Sequence, residues 1–65
     1  MIKIYDKVII TDGPNKGEEG YVVAFNTPKS RARLDAMGLK GPATFVLAED
    51  GRNMFVEAGW IKRKV

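Results

Sequence analysis

A mainly β fold, with about five strands and one short helix between the second and third, is what this 65-residue sequence predicts. Three observations predict it. The runs Val8-Ile9-Ile10 and Tyr21-Val22-Val23 flank a loop punctuated by Gly13-Pro14, Gly17 and Gly20. A second pair of runs, Ala43 to Glu49 and Arg52 to Glu57, flanks Asp50-Gly51. Between the pairs, Asn26 to Pro42 breaks the strand pattern, and Lys29 to Met37 within it carries helix formers. Alternating β-branched and aromatic runs bounded by turn residues are strand signals.

The elements follow in order. Ile2, Ile4, Val8 and Ile10 share even numbering, so period-2 alternation puts them on one face. Asp6 interrupts them and marks a bend between a lead-in segment and the first strand. Gly13-Pro14 ends that strand. The second strand runs from Tyr21 to Phe25, with Val22 and Ala24 on one face and Tyr21, Val23 and Phe25 on the other. Thr27 is a good N-cap, Pro28 suits the first helical position and Gly38 suits C′, so a helix spans about Pro28 to Met37. At about 100° per residue, Ser30, Leu34 and Met37 form its narrow apolar face. Asp50-Gly51 reads as a two-residue type I′ turn. That register pairs Glu49 with Arg52, Leu47 with Met54, and Phe45 with Val56. Phe45, Leu47, Met54 and Val56 then face the core, and Val46 and Phe55 face outward, under the helix. Ala58-Gly59 is a single turn, and Trp60 to Val65 a last short strand.

The stretch from Asp6 to Val23 resembles the KOW motif of ribosomal large-subunit proteins and NusG-type transcription factors: a β-branched run, Gly13-Pro14, Lys16, Gly17, Gly20 and a second β-branched run. The resemblance implies a small SH3-like β-barrel in which these runs are the first two strands. It also implies that Val22, two residues after the second glycine, points inward, and that a tail crosses a 3₁₀ turn to pair with the first strand. A helix after the second strand is not part of the usual pattern. The family's setting is nucleic-acid or ribonucleoprotein machinery.

Composition limits the chemistry. Sixty-five residues make one domain, which buries only about 60% of its unfolded surface. There is no cysteine, hence no disulfide or thiolate metal site, and no histidine, the commonest general base and zinc ligand. No apolar run nears the roughly 18 residues of a membrane span, and the N-terminus lacks a signal-peptide core. The chain is read as a complete cytoplasmic protein. No nucleophile–base pair can be named, and Gly13 to Gly17 lacks the Lys-Ser/Thr ending of a P-loop. The reading is therefore non-catalytic, with no cofactor, no metal, no membrane partner and no small-molecule substrate.

The net charge is +3, unevenly spread. Residues 27–41 sum to +3 (Lys29, Arg31, Arg33 and Lys40 against Asp35), residues 61–65 to +3, and the remainder to −3. Such asymmetry points to an anionic partner. Lys29 and Arg33, at i and i+4, share a side of the helix, whereas Arg31 precedes Asp35 at i, i+4 and is a candidate ion pair. Lys16 sits in the loop that often touches RNA or protein in KOW-type domains, beside the acidic Glu18 and Glu19; its alternative is a solvated turn lysine. Strand alternation puts Trp60, Lys62 and Lys64 on one face, as base stacking with phosphate neutralisation requires; the alternative is that Trp60 closes one end of the core. The candidate contacts are Lys16, Lys29, Arg33, Lys40, Trp60, Lys62 and Lys64. The expected function is that of an accessory protein of transcription or translation, binding RNA, DNA or a nucleoprotein machine. The alternative is a protein-interaction module docking on an acidic or apolar partner through the inserted helix and Phe25, Val46 and Phe55.

Overall fold

The computed structural model describes residues 2–64. Five strands, β1 (Lys7–Ile10), β2 (Glu19–Phe25), β3 (Ala43–Ala48), β4 (Asn53–Glu57) and β5 (Ile61–Arg63), form one antiparallel sheet in the order β4-β3-β2-β1-β5. The helix α1 (Pro28–Ala36) lies between β2 and β3, as expected. The two end strands of the sheet are consecutive in the chain, joined by a single 3₁₀ turn, Ala58–Trp60. The tail pairs with β1, Ile10 opposite Ile61. No helix among the described residues is long and apolar enough to cross a membrane.

The core cluster takes Val8 and Ile10 from β1, Val22 from β2, Val46 and Ala48 from β3, Met54 and Val56 from β4, and Ile61 from β5, with Ile2 and Trp60 packed against it. Asp6 marks the expected bend: its N–H donates to the Lys3 carbonyl at 3.1 Å, and its carboxylate accepts from the Lys3 N–H at 2.9 Å. Ile4 falls inside this turn and stands exposed, not on the core face.

The β3–β4 hairpin corrects the expected register. The loop holds three residues, Glu49, Asp50 and Gly51, closed by the Ala48 N–H donating to the Arg52 carbonyl at 2.9 Å. Gly51 has φ +91, whereas Asp50 does not adopt positive φ. A type I′ turn needs positive φ at both central residues; a three-residue loop with one left-handed glycine does not. The pairs are Phe45 with Phe55, Val46 with Met54, and Leu47 with Asn53. A one-residue slip sends a strand's side chains to opposite faces. Val46 is therefore fully buried and Leu47 exposed, the reverse of the expectation, and Phe45 is only half-buried. A bulge has a similar effect in β2. The register shifts between Val22 and Ala24, so Ala24 lies opposite Phe45, and Phe25 lies opposite the buried Thr44. The extra residue breaks the alternation that would have kept Val22 and Ala24 together.

Gly20 serves a different purpose from Gly13 and Gly17, which adopt φ +82 and +93. It lies within β2, and a Cβ there would run into the Leu47 carbonyl and the Val46 side chain. Close approach between strands, not positive φ, requires a glycine at this position.

α1 forms as its caps dictate. Thr27 Oγ1 accepts from the Ser30 N–H at 3.1 Å. At the other end, Leu39 N–H donates to Leu34 O (2.9 Å) and Gly38 N–H to Asp35 O (3.0 Å), the paired bonds of a Schellman motif. Gly38 has φ +76, as that motif needs. Ser30 and Leu34 are buried, but Met37 is the C-cap and is exposed. The helix packs against β3 and β4.

Candidate nucleic-acid interface

The sheet and helix bring two of the expected residues to one aromatic ring. Phe55, on the side of β4 opposite Met54 and Val56, is half-buried and stacks on Phe45 across the hairpin at 4.9 Å between centroids. From α1, Arg33 places its guanidinium carbon 5.4 Å and Lys29 its ammonium 6.0 Å from the Phe55 centroid. Cations within about 6 Å of a ring centroid are attracted by the ring quadrupole. The i, i+4 spacing aligns them, and Phe55 sits under the helix as the sequence predicts, whereas Val46, expected beside it, is in the core.

A groove of about 320 Å³ opens beside this ring. It is lined by Pro14 and Asn15 from the β1–β2 loop, Arg33 and Met37 from α1 and its cap, and Asn53, Met54 and Phe55 from β4. Neither asparagine side-chain amide has a hydrogen-bond partner among the described residues, so the two donors and the acceptor of each remain available beside the groove. Lys16 follows Asn15 and is exposed on the loop's turn.

Trp60 acts from below that loop. It belongs to the 3₁₀ turn and not to β5, which corrects the expected face shared with Lys62 and Lys64. The ring is half-buried, packed against the core and against Gly13, where a Cβ would collide with it. Its carbonyl accepts from the Thr11 N–H at 2.6 Å and the Thr11 hydroxyl at 2.9 Å. Trp60 therefore fixes the height of the loop that carries Pro14, Asn15 and Lys16.

The remaining expected residues lie elsewhere. Lys62 and Lys64 are at the β5 end of the strand order, opposite to β4, and Lys64 Nζ is 2.6 Å from Glu19. Lys40 is exposed on the α1–β3 loop. Arg31 shapes that loop: its guanidinium donates to the carbonyls of Leu39 (2.6 Å) and Gly41 (2.7 Å), and to Asp35 at 3.1 Å. The expected Arg31–Asp35 pair is present, but the two carbonyl bonds hold Lys40 between pinned neighbours.

Ion pairing decides which charges remain available. Arg52 grips Glu18 with two bonds, 2.7 and 3.0 Å, and Asp50 at 2.7 Å. Lys7 pairs with Glu49 at 3.0 Å, and Arg63 with Asp6 at 3.5 Å. Hydrogen bonds from Arg52 hold the Glu18 and Asp50 carboxyls below the usual carboxylate range, and the Lys64 bond does the same for Glu19. The Glu49 bond raises the Lys7 ammonium. Among the described residues, six of the eight carboxylates are thus engaged, leaving Asp12 and Glu57 outside ion pairs. Lys3, Lys16, Lys29, Arg33, Lys40 and Lys62 are the basic side chains outside ion pairs. The acidic loop that follows Lys16 is therefore neutralised by Arg52 and Lys64. Comparison with protein-family models, curated proteins and solved structures finds no match.

Sequence reasoning did not find the groove's other walls. Helix periodicity puts Met37 on the buried face, and the two-residue turn puts Phe45, which backs the Phe55 wall, in the core. Asn15 and Asn53 carried no signal beyond being polar residues near turns.

Proposed function

We propose that the protein is a non-catalytic, nucleic-acid-associated accessory protein of cytoplasmic transcription or translation machinery, of the KOW type that residues 6–23 resemble. The observation that carries this reading is the ion-pair census: the acidic side chains are mostly neutralised within the fold, and the surplus of basic ones stays open to an anion. Lys29 and Arg33 are the strongest pair, held side by side against Phe55 and without a carboxylate. Phosphates released from their counterions are the natural partner of such a surface, and binding of that kind weakens steeply with salt.

The test is a salt titration of binding to single- and double-stranded pools. Replacing both Lys29 and Arg33 by Ala removes two phosphate contacts. The slope of log affinity against log salt then flattens by about 1.8 for duplex DNA, or about 1.4 for a single strand. Lys64→Ala, which removes a cation already paired with Glu19, has a smaller effect. Undetectable binding of the wild type at about 50 mM salt, where such contacts are strong, rejects the reading. A second reading, a protein-interaction module, has one observation in its favour. Tyr21 and Leu47 stand opposite each other on β2 and β3 and are both exposed.

A further inference from the structure

We infer that the groove between the β1–β2 loop, α1 and β4 takes one unstacked base of a single-stranded nucleic acid. This rests on the nucleic-acid reading and names its ligand. Four features converge. The guanidinium of Arg33 lies 5.4 Å from the Phe55 ring and lines the groove while remaining exposed. A guanidinium is planar, and a base can stack on it. Pro14 and the exposed Met37 supply apolar wall. Asn15 and Asn53 add amides that nothing among the described residues engages, matching the mixed donors and acceptors of a base edge. Lys29 on the helix side and Lys16 on the loop side leave a cation on each flank for the phosphates that precede and follow the base.

Size and shape select a single strand. About 320 Å³ is the small end of the roughly 300–1,000 Å³ range of ligand sites, room for one planar group rather than a run. A base inside a duplex is stacked and paired and cannot enter. The rigid side of the groove is β4, stacked through Phe55 on Phe45. The opposite side is the loop resting on Trp60. Trp60 is thus a positioning residue for the site and not the stacking ring itself.

The experiment compares a labelled single strand of about ten nucleotides, within the 4–16 that one small binding domain covers, with its duplex and with an abasic strand of the same length. Fluorescence anisotropy is read at low salt for the wild type and for Arg33→Lys, which keeps the charge and loses the plane. The wild type binds the base-bearing strand more tightly than either the abasic strand or the duplex. Arg33→Lys weakens the base-bearing strand about 5- to 150-fold, the range of one lost stacking contact, and leaves its salt slope unchanged. The same variant shifts the abasic strand and the duplex by less than about twofold, because phosphate contacts survive. Equal wild-type affinity for base-bearing and abasic strands overturns the inference while leaving the nucleic-acid reading standing, and that comparison needs no variant to fold. An Arg33→Lys protein that melts like the wild type and binds the base-bearing strand within twofold also overturns it. Failure of the wild type to bind any strand removes both.

Discussion

Val46→Ala and Leu47→Ala, adjacent on β3, test the hairpin register directly. Val46 is 0% exposed and Leu47 36%, and directly opposite them lie the buried Met54 and the exposed Asn53. Val46→Ala deletes two carbon atoms from the core. At about 0.8 kcal/mol per buried methylene the transfer cost is about 1.6 kcal/mol, and the cavity left behind adds to it, for a total of about 2–3 kcal/mol. Leu47→Ala deletes three carbon atoms from a side chain that water already reaches. No closed cavity forms, so the cost is about 1 kcal/mol. The smaller side chain therefore carries the larger effect. A domain of this size has roughly 3–10 kcal/mol of stability in all, so Val46→Ala removes a large share. Thermal melting followed by circular dichroism reads the difference. With roughly 4–8 °C per kcal/mol, Val46→Ala lowers Tm by about 10–20 °C and Leu47→Ala by less than about 8 °C. A larger loss from Leu47→Ala would refute the three-residue loop and restore the two-residue turn, with Leu47 inside.

Two further stability predictions rest on different physics. Gly20→Ala costs about 1–3 kcal/mol because the new Cβ meets the Leu47 carbonyl, a backbone atom that cannot step aside. Gly17→Ala, at φ +93 with open space around it, costs about 1 kcal/mol of backbone strain alone; denaturant melts ranking Gly17 above Gly20 would contradict the close-approach reading. The pH profile of stability follows from the surface pairs. Glu18, Glu19 and Asp50 are held below their ordinary values of 4.5, 4.5 and 3.8, so their contribution is present above those values and lost as pH falls through the lower folded-state ones. Lys7 is held above 10.5, so its contribution is present below that value and lost as pH rises past it. With no histidine in the chain, melts between about pH 5 and 9 coincide and Tm falls only in acid or strong base; a step near pH 6–7 would contradict this assignment.

What was legible in the sequence was decided by local chemistry. Thr27-Pro28 and Gly38 bracket a helix because capping bonds and positive φ are properties of a few adjacent residues, and the helix appears where they place it. Val8 and Ile10 are buried on the one face that alternation gives them, and Val22 is buried as the resemblance of residues 6–23 implies, since no bulge intervenes between the loop and Val22. In β2 and β3 the reading failed through one residue of slippage, whereas Ile4, Met37 and Trp60 depart from it because each falls in a turn or at a helix cap. Asp50-Gly51 fits a two-residue turn and a three-residue loop equally well in sequence. The choice depends on whether Val46 or Leu47 packs better against Val22 and Met54, which is a property of the assembled core. In β2 the bulge at Val23 has no signature in the run Tyr21-Val22-Val23-Ala24-Phe25, whose members all suit a strand.

The site was legible in its charges and not in its walls. Lys29 and Arg33 share a helical side by periodicity alone, and the structure adds what they rest upon, the Phe55–Phe45 pair. That pair exists only in the three-residue register, which turns Phe45 away from the core and sets it directly opposite Phe55. The same slip that defeats the sequence-based core assignment therefore builds the aromatic floor beneath the two cations. The loop side follows a similar logic: Gly13 lacks a side chain, Trp60 fills the space a Cβ would occupy, and Pro14 and Asn15 are set at the height where they face Arg33 and Met37. Trp60 is read from sequence as either a core member or a stacking base platform. The structure packs its ring against the core, as the first of these has it, and sets it beneath Gly13 as well, so Trp60→Ala would alter binding by way of Asn15 and Lys16. Arg33→Lys, which leaves the support intact, is for that reason the sharper probe of the groove.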